Sequence, residues 1–289
     1  METGHIPADS FPGPLDLQAT LESGQTFLWR RVSADTKTGW FRTVTDSDVI
    51  EVRERNGGLD WRSSTDPTDT LYHRLDLDRD LSAILDTFPD EPVIQAAAER
   101  FDGLRVVTEP VIPTLFSFIL SAQMRIGRIH DLVTALRQTY GTTFTWQGGT
   151  VSAFPDVNRL ADVSETAFRD LGLGYRAPYV KQTAALLRDD GVDLDSVAAH
   201  PYEQARSELT AFVGVGPKVA DCVLLFAMDF EEPVPLDTWI QTAIEEYFPD
   251  ADRGSYEATS RAIRDRFGPR PGYTQTYVFT HLRTGGSTE

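Results

Sequence analysis

Residues 209–222 read Leu-Thr-Ala-Phe-Val-Gly-Val-Gly-Pro-Lys-Val-Ala-Asp-Cys. Apolar residues at helical spacing run up to Phe212 and resume after Pro217, so Gly214-Val215-Gly216 separates two helices. The glycines permit positive φ and close backbone approach. Proline suits the first position of a helix, because the N–H it lacks has no partner there anyway. The segment is therefore a tight helical hairpin over residues 213–217. The start of its second helix offers free N–H groups and a positive dipole end, where an anion such as a phosphate can sit without a basic side chain. A lone Gly-x-Gly is equally at home in a plain helical corner, so the flanking residues must decide.

Lys218 follows the hairpin directly, in a chain of 289 residues with only three lysines (Lys37, Lys181, Lys218) against 24 arginines. Nineteen residues on, Val234-Pro235-Leu236-Asp237-Thr238-Trp239 places an aspartate at the start of the next helix. That aspartate can cap the helix. It can also face a positive charge developing beside it.

The composition is globular: 40% hydrophobic and 25% charged residues. The longest apolar stretch, near Val111–Ala122, is too short to span a bilayer and holds Pro113. Met1-Glu2-Thr3-Gly4 has no basic or apolar leader character, so a cytoplasmic protein with no membrane partner is expected. The single cysteine, Cys222, excludes an intrachain disulfide and any four-cysteine metal or iron–sulfur site. The net charge is −17. Read alone, it argues against nucleic acid. Yet 28 Asp, 16 Glu and three Lys resemble the acidic surfaces of proteins from salt-loving microbes, halophilic archaea among them. At molar salt the Debye length is about 3 Å, so net charge then says little about partners and local arginine placement says more.

The elements are segregated, which predicts an α+β chain. Thr26–Val32, Trp40–Thr45, Val49–Arg53 and Leu59–Arg62 read as antiparallel strands, with a turn at Asn56-Gly57-Gly58. From about residue 66 the pattern is helical: Leu81–Leu85, Val93–Arg100, Pro113–Ser121, Ile126–Tyr140, Ala177–Arg188, Tyr202–Phe212, Pro217–Met228, Thr238–Phe248, Tyr256–Phe267 and Tyr273–Leu282. A β-rich unit with short helices over 1–108 is expected to precede a helical unit over 109–289.

The hairpin, Lys218 and Val-Pro-Leu-Asp237 together resemble the helix-hairpin-helix DNA glycosylase superfamily, in its bifunctional 8-oxoguanine DNA glycosylase/AP lyase branch. Four further stretches resemble that branch in order: Ser23-Gly24-Gln25-Thr26-Phe27-Leu28-Trp29, Phe118–Ser121 with Ile126–Ile129, Leu171-Gly172-Leu173-Gly174-Tyr175-Arg176-Ala177, and Gly272–Phe279. The resemblance implies an N-terminal antiparallel β-sheet domain before a helical body of two bundles with a cleft between them. It implies Lys218 as the nucleophile that forms a Schiff base and Asp237 as its electrostatic partner. It implies that Cys222 and Phe279 sandwich a flipped base, that Gln275 bonds its Watson–Crick edge, and that the Gly24 carbonyl accepts the N7 hydrogen found only on the oxidised purine. It further implies that Gln123 fills the gap, Arg128 and Arg176 read the orphaned cytosine, Tyr175 wedges beside them, and Gly214, Val215 and Gly216 grip phosphate. Gln123-Met124-Arg125 replaces the family's asparagine run, and Trp239 stands where eukaryotic members carry a histidine near phosphate. Lys181 and Arg188 are candidate phosphate contacts or solvated cations.

The partner implied is double-stranded DNA with oxidised guanine, bound by a monomer. No metal or organic cofactor is required, and the hairpin carbonyls could hold a monovalent cation as the family's do. Two alternatives stay open: a monofunctional alkyl-purine glycosylase of the same fold, which needs the aspartate but not the lysine, and a non-catalytic hairpin module that only binds DNA.

Overall fold

A computed structural model describes residues 1–32 and 39–286, so Lys37 lies outside the described residues. Five antiparallel strands form the amino-terminal sheet: β1 (Glu2–Ile6), β2 (Arg30–Arg31), β3 (Phe41–Val44), β4 (Val49–Arg55) and β5 (Gly58–Ser63), in the order β1-β5-β4-β3-β2. Asn56 and Gly57, with φ of 53° and 76°, make the two-residue turn joining β4 to β5. Positive φ at both central residues matches the twist of the flanking strands. Ile6, Phe41, Val52, Leu59 and Trp61 bury one face against helices Leu17–Glu22 and Thr68–Arg74. Asp16 starts the first of these helices by accepting from the Ala19 N–H at 2.7 Å.

The expected strand Thr26–Val32 shrinks to Arg30–Arg31. Its polar groups are committed elsewhere: Thr26 Oγ1 and Trp29 Nε1 donate to the buried Glu109 carboxylate at 3.0 and 2.8 Å, and Arg74 donates to its other oxygen. Strand β1, rich in polar residues, and a hairpin of β6 (Thr143–Trp146) and β7 (Gly149–Ser152) were not expected from the sequence. Gln147 and Gly148, at φ 49° and 78°, repeat the turn of Asn56-Gly57. Trp146 packs with Val44 and Val49, tying this hairpin to the sheet.

The rest is helical. Val111–Ser121, buried from Thr114 to Ser121, packs on Pro217–Ala227. The helix Pro271–Arg283 packs against Pro92–Arg100 and Thr238–Tyr247. No helix among the described residues is long and apolar enough to cross a membrane.

Two polar side chains tie the segment 105–107 to the turns around the sheet. The fully buried Arg105 guanidinium donates to the carbonyls of Pro12, Pro14, Asp76 and Arg79 at 2.6–3.1 Å. Gln25 Nε2 donates to the carbonyls of Thr20 and Arg105 at 2.9 and 2.8 Å, and its Oε1 accepts from the Val107 N–H at 2.9 Å. Losing a charged donor strands buried acceptors, which costs more than the bonds themselves contribute. Arg105→Ala is therefore expected to lower unfolding free energy by about 3 kcal/mol or more. Urea denaturation at fixed salt checks this, and a midpoint within error of wild type would contradict it.

Candidate active site

The slot between the sheet unit and the helices is lined by Gly24, Phe118, Lys218, Cys222, Phe226, Pro235, Asp237, Gln275, Thr276 and Phe279. It is narrow, about 50 Å³. Six residues singled out in the sequence thus converge from four separate stretches: Gly24, Lys218, Cys222, Asp237, Gln275 and Phe279. Gly24 lies in the turn after the first helix, with φ 103°. A Cβ there would meet Ile126 Cδ1 at 3.0 Å and the Phe279 ring at 3.5 Å. Glycine thus supplies both the backbone conformation and the clearance, and its main chain stands beside Phe279.

Lys218 is the second residue of its helix, and its Nζ lies 5.5 Å from the centroid of the Phe118 ring. One turn on, Cys222 is buried, and burial pushes its thiol up to about 11, although the Lys218 charge pulls the other way. It is an apolar wall at neutral pH. Asp237 caps the helix Thr238–Tyr247: Oδ1 accepts from the N–H groups of Trp239 and Ile240 at 3.0 and 2.9 Å. Burial raises its carboxyl above the ordinary range, while those N–H groups and Lys218 oppose the rise. Gln275 is buried, and its Nε2 donates to Thr276 Oγ1 at 2.8 Å.

Beside the slot runs a shallow groove lined by Gln123, Tyr175, Tyr179 and Gly214–Gly216. Gly214 has φ 86°, and a Cβ there would strike the Tyr179 ring at 2.5 Å. Gln123 has φ 52° and is exposed at the tip of its loop. Arg176 is buried. Its Nη2 and the Tyr175 hydroxyl both donate to the Ala122 carbonyl, its guanidinium lies 4.2 Å from the Tyr175 ring centroid, and its Nε has no partner. Arg128 is exposed and reaches over Gly172. Trp239 is exposed in the first turn of the helix that Asp237 caps. Lys181 and Arg188 are drawn to neighbours within the chain, Lys181 to the Ala161 carbonyl and Arg188 to Asp162 and Asp189.

Ser23, Gln25, Phe118, Phe226, Pro235 and Thr276 also line the slot, though the sequence does not single them out as site residues. An apolar residue on a buried helix, such as Phe118 or Phe226, carries no mark of which wall it faces. A further feature has a signal in the sequence: Asp221 is a charge inside the otherwise apolar run Val219–Ala227.

A lysine one residue past a helical hairpin shares a slot with an aspartate cap, and the hairpin glycines line the neighbouring groove; the class is that of base-excision DNA repair proteins. The chain belongs to the HhH-GPD superfamily of base excision DNA repair proteins, whose family model matches residues 116–269. The model of the 8-oxoguanine DNA glycosylase N-terminal domain matches residues 11–115. A "Probable N-glycosylase/DNA lyase" of Methanothermobacter thermautotrophicus is 29% identical over 95% of both chains. "N-glycosylase/DNA lyase OGG1" of Arabidopsis thaliana is 28% identical over 92% of this chain and 76% of its own. The 8-oxoguanine glycosylase/lyase of Clostridium acetobutylicum, solved with double-stranded DNA containing cytosine opposite 8-oxoguanine, superposes with a TM-score of 0.86 at 26% identity, covering 94% of this chain and 93% of that one.

The raised carboxyl at Asp237 has a consequence for stability. A group whose pKa rises on folding favours the fold most at pH below its unfolded value, and that advantage is lost as pH climbs through the folded value. Asparagine caps a helix as well as aspartate does. Asp237→Asn is thus expected to hold or raise Tm at neutral pH, with its advantage over wild type shrinking toward the ordinary carboxylate pKa. Thermal unfolding at several pH values checks this; a Tm loss that is constant across pH would contradict it.

Proposed function

We propose that this protein is a bifunctional base-excision-repair DNA glycosylase/AP lyase that removes 8-oxoguanine from duplex DNA. The observation that carries the reading is the meeting of Lys218, Asp237 and a two-walled slot at the edge of a groove that the hairpin glycines help to line. The similarity to N-glycosylase/DNA lyases over most of the chain supports it.

In this reading the target nucleotide leaves the helix, because its glycosidic bond cannot be reached inside the stack. The purine enters between Cys222 and Phe279. Gln275 turns its amide from Thr276 to the Watson–Crick edge. The Gly24 carbonyl accepts the N7 hydrogen of the oxidised base. Guanine has an acceptor at N7, so it would set two acceptors together, and an unpaired buried acceptor is strongly rejected.

The uncharged Lys218 amine attacks C1′. The C1′–N9 bond breaks, its electron pair leaves with the base, and the base takes up a proton. The Asp237 carboxylate faces the positive sugar as that bond lengthens. Loss of a proton and ring opening give a Schiff base between Nζ and C1′. Removal of a proton from C2′ then expels the 3′ phosphate and breaks the C3′–O bond. The reacting amine belongs to the chain, so the reading needs no organic cofactor.

On the duplex, Gln123 fills the gap, and the unpartnered Arg176 Nε–H and the exposed Arg128 address the orphaned cytosine. Tyr175 wedges beside them. Trp239 and the hairpin at Gly214, Val215 and Gly216 meet the backbone, with the amides of the two glycines offered to phosphate while the Val215 N–H donates to the Phe212 carbonyl at 3.1 Å.

Borohydride trapping on a duplex with 8-oxoguanine opposite cytosine, in high potassium chloride, tests the reading. Wild type is expected to form a covalent adduct. Lys218→Gln should form none and cut no strand, while still binding damaged DNA. Adduct formation by the variant would remove Lys218 as nucleophile; base release without any adduct would favour a hydrolytic, monofunctional enzyme. Arg176→Ala is expected to weaken discrimination for cytosine by about 1–3 kcal/mol. Excision rates measured against each of the four opposite bases check that, and an unchanged ratio would sink the role.

A further inference from the structure

The helix that presents Lys218 also carries a carboxylate for which the excision chemistry has no use. Asp221 is fully buried and lies outside the base slot. Tyr202 Oη donates to Oδ1 at 2.7 Å, and Tyr256 Oη donates to Oδ2 at 2.7 Å. Arg206 Nη1 stands 3.9 Å from Oδ2 and donates to Tyr202 Oη at 3.0 Å and to Ser260 Oγ at 3.3 Å. Burial pushes the Asp221 carboxyl up to about 6, so at neutral pH it is ionised and accepts only.

Each phenol therefore spends its one proton on Asp221. Tyr256 Oη keeps only lone pairs for other neighbours, and the Leu236 N–H donates to it at 3.2 Å. Leu236 directly precedes Asp237. A short chain of bonds thus runs from the helix of Lys218, through Asp221 and Tyr256, to the backbone that delivers Asp237. Pro233, Val234 and Pro235 belong to no helix or strand, and two prolines in three residues remove donors that could tie that loop down.

We propose that Asp221 and Tyr256 are positioning residues that set the spacing between the Lys218 helix and the Asp237 cap. The proposal rests on the roles given above to Lys218 and Asp237. Neither positioning residue touches the base; both act on where Asp237 stands. A displacement of about 1 Å at a reacting centre can slow a reaction about a hundredfold.

A double-mutant cycle tests it, using single-turnover excision of 8-oxoguanine from a cytosine-paired duplex. Tyr256→Phe is expected to slow excision about 10- to 100-fold with duplex affinity changed less than about threefold. In an Asp237→Asn background the same substitution is expected to cost nothing more, because the group it positions is gone. Wild-type excision by Tyr256→Phe, or losses that multiply in the double variant, would overturn the proposal. Asp221→Asn, close to isosteric, is the second variant; it should slow excision too, and not additively with Tyr256→Phe. Amide exchange by NMR reads the link without any activity: Tyr256→Phe should speed exchange at Leu236 while the helix 217–227 keeps its protection. Faster exchange across that whole helix would mean simple destabilisation and would overturn the proposal. A wild type that neither excises the base nor forms an adduct would bring down the functional reading instead, leaving the Leu236 exchange to decide the positioning link.

Discussion

The Arg105 guanidinium and the Gln25 amide bind residues 105–107, the segment that leads into the helix Val111–Ser121, to the turns packed around the amino-terminal sheet. Arg105 gathers carbonyls from residues 12–14 and 76–79, which would otherwise be buried acceptors without donors. Gln25 then ties the turn after the first helix to the backbone of residues 105–107. Because Gln25 follows Gly24, the same bonds also fix the Gly24 main chain, which stands beside Phe279 near the other end of the chain. A wall of the slot is thus built from this turn, to which Ser23, Gly24 and Gln25 all belong. Displacing the turn would open that wall, although the other lining residues lie far along the chain, from Phe118 to Phe279.

The charge distribution fits this arrangement. With a net charge of −17, the chain has little general attraction for phosphate, least of all when salt screens what there is. The features that remain useful under strong screening are short-range: free N–H groups at a helix start, a planar guanidinium with an unmet donor, an exposed indole. The first two lie by the hairpin and the loop of Gln123, where Arg176 donates to the Ala122 carbonyl. Their reach is a few ångströms, so they act only on a nucleic acid already docked.

Much of the fold was readable because local chemistry wrote it. Gly214-Val215-Gly216-Pro217 can only be a tight entry into a helix, and Asn56-Gly57 only a reversal between strands. Lys218 stood out by the rarity of its type, and Asp237 by its place after a proline-containing stretch. Other features were written across distance. Thr26 and Trp29 look like strand residues, yet they serve Glu109, about eighty residues away, and the strand is cut short. The hairpin 143–152 interrupts a helical stretch, and its turn residues Gln147 and Gly148 are a weaker marker than Asn-Gly. Phe226 and Thr276 line the slot only because two helices meet at a particular rotation. Asp221 was visible as an isolated charge in an apolar helix, but its partners Tyr202 and Tyr256 lie 19 and 35 residues to either side.

The slot measures about 50 Å³, whereas sites that enclose drug-sized ligands run to roughly 300–1,000 Å³. A guest larger than that space must find the slot widened, and the observed affinity falls by the fraction of molecules in which it is. A narrow slot therefore lowers the affinity of every guest of one size alike. Only a guest that recovers the cost through bonds formed inside will stay, so the stiffness of the empty site sets a threshold of affinity, while the ratio between two such guests is set by the bonds each makes.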